Sequence, residues 1–191
     1  MEKYSKFKDP MTGINPFIQP KYKKITFMTV LIAIARMPIY LAYLMGFPVL
    51  KFLISIKRKD NGIPKGIIFC NSVTPFDRDV LKAALGIGLA GYMKSKCHVV
   101  FPEGTNSNNL SILKYERSNS DWSIGLKYTN ECIYLYGNRF LWLLGFLGNF
   151  NSVEIYTSEG NDISKAARLP QATLSKEDKK RFMELISNSS K

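Results

Sequence analysis

The chain has 191 residues, room for one ordinary domain with at most a short extra segment. Its 27 Lys and Arg against 15 Asp and Glu leave a formal charge of +12, which calls for an anionic partner; no nucleic-acid-binding motif is present, and a basic run beside a long apolar segment selects an anionic membrane leaflet over nucleic acid. Cys70, Cys97 and Cys132, with no Cys-x-x-Cys and one histidine in the whole chain, argue against a disulfide framework and a metal site and suit a reducing, cytosol-facing domain.

Residues 1–24 read as a polar arm, with turns at Asp9-Pro10, Gly13 and Asn15-Pro16 and a basic close at Lys21, Lys23 and Lys24; the first residues lack the apolar core of a secretory signal peptide. From Ile25 to Leu50 the one charge is Arg36, and Lys51, Lys57, Arg58 and Lys59 follow. About 20 apolar residues cross a bilayer core, so residues 25–56 read as a membrane-embedded helical segment. Arg36, Pro38, Gly46 and Pro48 oppose a plain span. Basic flanks at both ends favour a re-entrant or two-helix interfacial arrangement, with a buried helix pair of a soluble protein as the other reading.

Residues 57–191 read as an α/β domain with a mainly parallel or mixed sheet and flanking helices. Asn61-Gly62 marks a turn, and Gly66–Cys70 is a short apolar run between turn signals, as in a buried strand. Thr74-Pro75-Phe76-Asp77 reads as a helix start, Thr as cap and Asp as third residue, continuing through Leu81, Leu85, Gly86, Gly88 and Leu89. Further strands are predicted over 97–101, 132–136 and 153–157. The Asn- and Ser-rich stretch Asn106 to Asp121 reads as an exposed loop. The aromatic stretch Tyr134 to Phe150 suits either core or lipid. Ser175-x-x-Asp178 opens a last helix with Phe182, Met183, Leu185 and Ile186 as its apolar side.

Two short strings carry the chemistry: Asn71-Ser72-Val73-Thr74-Pro75-Phe76-Asp77 and Phe101-Pro102-Glu103-Gly104-Thr105, with 23 residues between them. The first places a carboxylate in the first turn of a helix after a strand, where it either caps the helix or serves a reaction centre. In the second, Gly104 makes a turn that opens backbone N–H groups toward an anion, and the Thr105 hydroxyl can donate to phosphate. His98 shares a strand face with Val100, opposite to Glu103 in extended geometry, so it reads as packed or surface.

Together the strings resemble the paired signature of the glycerophospholipid acyltransferases of the lysophosphatidic acid acyltransferase type, in which a His-x4-Asp loop carries catalysis and a Phe-Pro-Glu-Gly-Thr turn binds the acceptor. Ser72 stands where that family has its His. The opening Met1-Glu2-Lys3-Tyr4 and Thr12-Gly13-Ile14-Asn15-Pro16-Phe17 look like those of the fungal lysophosphatidic acid:oleoyl-CoA acyltransferases of the endoplasmic reticulum and lipid droplets, a subgroup that also departs from His there. Three departures mark a contracted relative. The span between the strings is short, with no counterpart of the intervening Arg motif between Arg78 and Val100. Ile133-Tyr134-Leu135-Tyr136 lacks the Pro of a late strand motif. Asn106 replaces the Arg that commonly follows the Thr, with Lys114 or Arg117 as substitutes to consider.

The resemblance implies a membrane-bound protein of the endoplasmic reticulum or lipid droplet, its catalytic domain facing the cytosol, that transfers an acyl chain from acyl-CoA to a lysophospholipid such as lysophosphatidic acid. It implies no bound cofactor, acyl-CoA being a co-substrate, and membrane lipids as partners. Carried over residue by residue, Asn71, Ser72 and Asp77 form the reaction centre, and Phe101, Pro102, Glu103, Gly104 and Thr105 bind substrate. The alternative is a catalytically inactive relative that binds lipid or protein at the membrane.

Overall fold

The computed structural model describes residues 2–18, 24–60, 62, 64–85, 97–116, 119–130 and 133–189. After a 3-10 turn (Glu2–Phe7) come α1 (Phe27–Leu44), α2 (Leu50–Leu53), β1 (Ile54–Arg58), β2 (Gly66–Cys70), α3 (Asp77–Leu85), β3 (Cys97–Val100), β4 (Trp122–Tyr128), α4 (Arg139–Gly148), β5 (Asn151–Glu159), α5 (Ile163–Ala167) and α6 (Lys176–Ser189). The strands form one mixed sheet in the order β1-β5-β4-β2-β3. β2, β3 and β4 run together, while β5 is antiparallel to β4 and parallel to β1.

Strand alternation sends the side chains of β2 to two cores. Ile68 and Cys70 join Val80, Leu81, Phe146 and Leu147 under α1, α3 and α4, whereas Phe69 joins Ile112, Tyr115, Ile163 and Ala167 beneath α5. A third cluster ties the N-terminal arm to the last helix through Phe7, Phe17, Leu113 and Phe182. The described part of the arm is thus packed, and Asp9 within it is buried, accepting from the backbone N–H of Thr173 at 2.6 Å and that of Thr12 at 2.8 Å. Burying a Phe of this kind contributes about 1.5–3 kcal/mol, enough to order a segment whose polarity reads as loop.

The strands predicted over 66–70, 97–101 and 153–157 are present, and two others were not foreseen. β1 uses the end of the apolar segment, and β4 lies just beyond the predicted loop. Residues 133–136 form no strand: Ile133 and Tyr134 are buried in irregular backbone, with the Tyr134 hydroxyl donating to the Phe17 carbonyl at 3.2 Å. The described part of the stretch Asn106 to Asp121 is irregular backbone, as predicted, but much of it is not exposed. Ser107, Asn108, Ser111, Ile112 and Leu113 are buried, and Ile112 exchanges backbone hydrogen bonds with Pro170 and Ala172, which supplies the pairing a buried segment requires.

The last helix begins as predicted, with Asp178 accepting from the Ser175 N–H at 2.9 Å, but its apolar side is narrower: Phe182 is buried while Met183 and Leu185 are exposed. The aromatic stretch divides, Phe146 entering the core and Phe140 and Phe150 remaining exposed. Asn61, the continuation of α3 through Gly86, Gly88 and Leu89, Arg117 and Cys132 lie outside the described residues.

Gly125 in β4 shows how closely α5 sits on the sheet. A Cβ there would lie 2.2 Å from the Cα and 2.3 Å from the N of Ala167, a backbone contact that no rotamer relieves. Gly125→Ala is expected to cost about 3 kcal/mol by lifting α5 off the sheet, seen as a lower urea midpoint; an unchanged midpoint would refute this packing.

Candidate functional site

The two strings meet because β2 and β3 are parallel neighbours in register. Phe69 lies opposite Val100, so the chain leaves both strands at the same edge, and residues 71–77 emerge beside residues 101–105. His98 pairs instead with Ile67, at the starting ends of the two strands and away from Ser72.

Each residue of the first string is held by its neighbours. Asn71 extends the β2–β4 ladder with its side chain, donating from Nδ2 to the Leu126 carbonyl at 2.9 Å and accepting the Leu126 N–H on Oδ1 at 2.7 Å. Ser72 donates its N–H to Glu103 Oε1 at 2.9 Å and its hydroxyl to Asn106 Oδ1 at 2.7 Å, and its carbonyl accepts the Ser107 N–H at 2.8 Å. Asp77 Oδ2 accepts the N–H groups of Val73 at 2.6 Å and Thr74 at 3.0 Å, while Oδ1 accepts the Tyr128 hydroxyl at 2.6 Å. The predicted capping box is half formed: Asp77, its third residue, accepts the Thr74 N–H, whereas the buried Thr74 hydroxyl has no partner among the described residues, and α3 starts at Asp77.

The second string is tied to the first through its carboxylate. Glu103 Oε1 takes the Ser72 N–H, and Oε2 takes the Leu113 N–H at 2.8 Å. With 1% of its surface exposed, Glu103 braces two loops and does not point outward to substrate. Phe101 is half-buried under the Arg78 guanidinium, 5.9 Å from its ring centre. Gly104 is exposed and makes the turn at φ +65°, and Thr105 is half-buried beside it. Pro102 and Glu103 border a cavity of about 560 Å³, also lined by Lys114 and Lys176 with Glu116, Glu177 and Asp178, so its charge is mixed.

Burial raises both carboxyl groups. Asp77 is pushed up to about 6, against the lowering effect of Tyr128, Thr74 and Val73. Glu103 is pushed up to about 8 by burial, against the N–H groups of Leu113 and Ser72. The Tyr128 hydroxyl is held well above its ordinary range by burial and by Asp77.

Sequence reasoning missed two members of this cluster. Tyr128 is visible only once β4 is recognised. Lys179 on α6 donates to the Asn106 carbonyl at 2.6 Å, with its ammonium 5.5 Å from the Tyr134 ring centre; burial lowers it to about 8 although Glu103 draws it upward. Among the described residues, Lys179 is a cation bonded to Asn106 that the sequence reading passed over for Lys114 or Arg117, the latter outside the described residues.

Compared with known proteins, the chain matches no family model, no curated protein and no solved structure.

The site brings together Asn71, Ser72, Asp77 and Glu103 but puts no imidazole beside Ser72. Asp77 Oδ2 lies 3.5 Å from Ser72 Oγ, and a value near 6 lies in the range of working general bases.

Proposed function

We propose that this chain is a membrane-bound acyltransferase-type protein that moves an acyl group from acyl-CoA to the hydroxyl of a lysophospholipid. The observation that carries the reading is the direct bond between the two motif strings, Ser72 N–H to Glu103, at the shared edge of β2 and β3. In the proposed step the Ser72 hydroxyl turns from Asn106 to Asp77 Oδ2, 3.5 Å away; the acceptor hydroxyl attacks the thioester carbonyl and passes its proton to Ser72 Oγ, which hands its own to Asp77. The C–S bond breaks, and the coenzyme A thiolate recovers the proton from Asp77 by the same route. Atoms and charge balance without a cofactor. The exposed turn at Gly104 and Thr105, with Lys179 behind Asn106, faces the acceptor's phosphate.

A second reading is an inactive relative that binds lipid at the membrane. It is favoured by the internal use of the polar atoms: Asn71, Asp77 and Glu103 are all buried and bonded to backbone of the same domain. The deciding experiment is acyl-CoA-dependent conversion of lysophosphatidic acid by the purified full-length protein in detergent. Turnover is expected, slower by about 10²- to 10⁴-fold than an imidazole-based site would give; lysophosphatidic acid binding without turnover would replace the first reading by the second.

A further inference from the structure

The charge at the centre of the long apolar segment resolves into an internal tie. Arg36 donates from one terminal nitrogen to the carbonyls of Leu147 at 3.1 Å and Asn149 at 2.7 Å, and from the other to those of Phe52 at 2.9 Å and Leu53 at 3.2 Å. It therefore satisfies the ends of α4 and α2, and it lies 5.4 Å from the ring centre of Phe150.

Two further ties fix α1 along the same side. Seven residues earlier, Thr29 lies against the backbone of Gly148, where a Cβ would fall 2.3 Å from Thr29 Cγ2 and from the Thr29 carbonyl oxygen. Seven residues later, the Tyr43 hydroxyl donates to Asp79 on α3. Spacings of seven return to one helix face, so α1 is attached to the domain near its start, middle and end. Immediately after it, α2 runs into β1 of the sheet.

The opposite face carries no polar residue. Phe27, Leu31, Ile34, Pro38, Leu41 and Met45, spaced by three and four, are all exposed, Phe27 by 76% and Met45 by 71%. Phe140 and Leu141 at the start of α4, and Phe150 just after it at 83%, are exposed as well. Lys24, three residues before Phe27, Lys51, six after Met45, and Arg139, next to Phe140, are each exposed.

An 18-residue helix is long enough nearly to cross the hydrocarbon core, but spanning would expose all of its sides to lipid. That would break the three ties. We propose that α1 lies in the plane of an anionic phospholipid leaflet as one half of a two-helix platform with α4, and that neither helix crosses the bilayer. Apolar residues on one side with cations beside them is the pattern by which interfacial helices bind such a surface. The inference rests on the membrane-bound part of the reading above and requires no acyl transfer.

The test uses the full-length chain with Cys97 and Cys132 replaced by Ser. Nitroxide labels are placed singly through Phe27→Cys, Ile34→Cys, Leu41→Cys and Phe140→Cys, and their depth is read by electron paramagnetic resonance on phosphatidylcholine vesicles with and without phosphatidylserine. All four labels are expected at one shallow depth, and omission of phosphatidylserine should weaken binding about tenfold or more. Ile34→Asp, at an exposed position, should weaken it similarly with the thermal unfolding curve unchanged. A label at Ile34 deep in the bilayer with Phe27 and Leu41 near its two surfaces would mean a span and overturn the proposal. So would a chain that ignores vesicles and covers the stripe with a second copy in sedimentation. In-plane binding without acyl transfer would sink the enzymatic reading alone, and turnover in detergent with graded depths would sink the platform alone.

Discussion

Asp77→Asn is expected to stabilise the folded chain by about 1–2 kcal/mol at pH 7 and to change it little near pH 4. The folded protein holds this carboxyl at about 6, against 3.8 for the free group, so it binds a proton more tightly when folded. Stability contributed by such a group is full below the unfolded value and falls as pH rises toward the folded one, because the ionised form is the one that burial disfavours. At about 1.4 kcal/mol for each step of one in pKa, the fall amounts to about 3 kcal/mol by pH 7. An amide escapes it. The Asn carbonyl takes the N–H groups of Val73 and Thr74 as Oδ2 does, and its NH2 donates to the Tyr128 oxygen. The Tyr128 hydroxyl hydrogen then loses its acceptor, which returns about 1 kcal/mol. Urea unfolding of both proteins from pH 4 to 8 in mild detergent reads the difference; in the variant Glu103, held at about 8, still lowers stability as pH rises, and Lys179, also at about 8, opposes it at the upper end. A variant less stable than its parent at pH 7 would mean that its surroundings favour the carboxylate.

The same exchange fails at Glu103 for a geometric reason. Both of its oxygens accept backbone N–H groups, from Ser72 and Leu113, so a Gln amide would face one donor with another. Alanine at either carboxylate orphans buried donors, so activity lost in such variants reads folding as well as chemistry. Asp77→Asn keeps those donors bonded, and under the relay mechanism it should be folded, stabilised and inactive. That combination marks a charge kept against the interest of stability.

The parts of the fold legible in the sequence were those whose pattern is local. Gly66–Cys70 and Ser175–Asp178 carry their turn and cap residues beside them, and both are where the chain places a strand and a helix start. β1 was hidden because Ile54-Ser55-Ile56-Lys57-Arg58 reads as the tail of one apolar segment and the start of a basic run. β4 was hidden by Gly125, a poor strand residue that is there to admit Ala167. Ile133-Tyr134-Leu135-Tyr136 has the composition of a strand, and only its tertiary position, with Tyr134 reaching Phe17, makes it a buried turn. For the site, the strings themselves were legible and the direction of their side chains was not. Glu103 turns inward because Leu113, ten residues on, offers it an N–H, and Lys179 reaches Asn106 from 73 residues away. Neither pairing has a local signal.

Ser72→His is expected to raise acyl transfer by about 10²- to 10⁴-fold, the usual worth of a positioned general base. The position is prepared on one side. Asp77 Oδ2 lies 3.5 Å from Ser72 Oγ, is ionised above about pH 6, and is fixed by Val73 and Thr74, so it can orient an imidazole and stabilise the imidazolium formed as the acceptor hydroxyl loses its proton. It is obstructed on the other. Ser72 is 9% exposed and Asn106 occupies the next hydrogen-bonding position at 2.7 Å, so the larger ring has to displace the Asn106 side chain. Ser72→His combined with Asn106→Ala separates the two effects: it should exceed Ser72→His alone if the amide is the obstacle. Both variants are compared with the parent by acyl-CoA-dependent turnover of lysophosphatidic acid across pH, and the readout is the rise in plateau turnover, because Asp77 at about 6 in the parent and an imidazole near 6.5 titrate in the same range. If neither variant gains turnover while both stay folded, then a base restored beside Asp77 has no acceptor to act on. The buried hydrogen bonds of Asn71, Asp77 and Glu103 would then be the scaffold of a binding protein and not the remains of an active site.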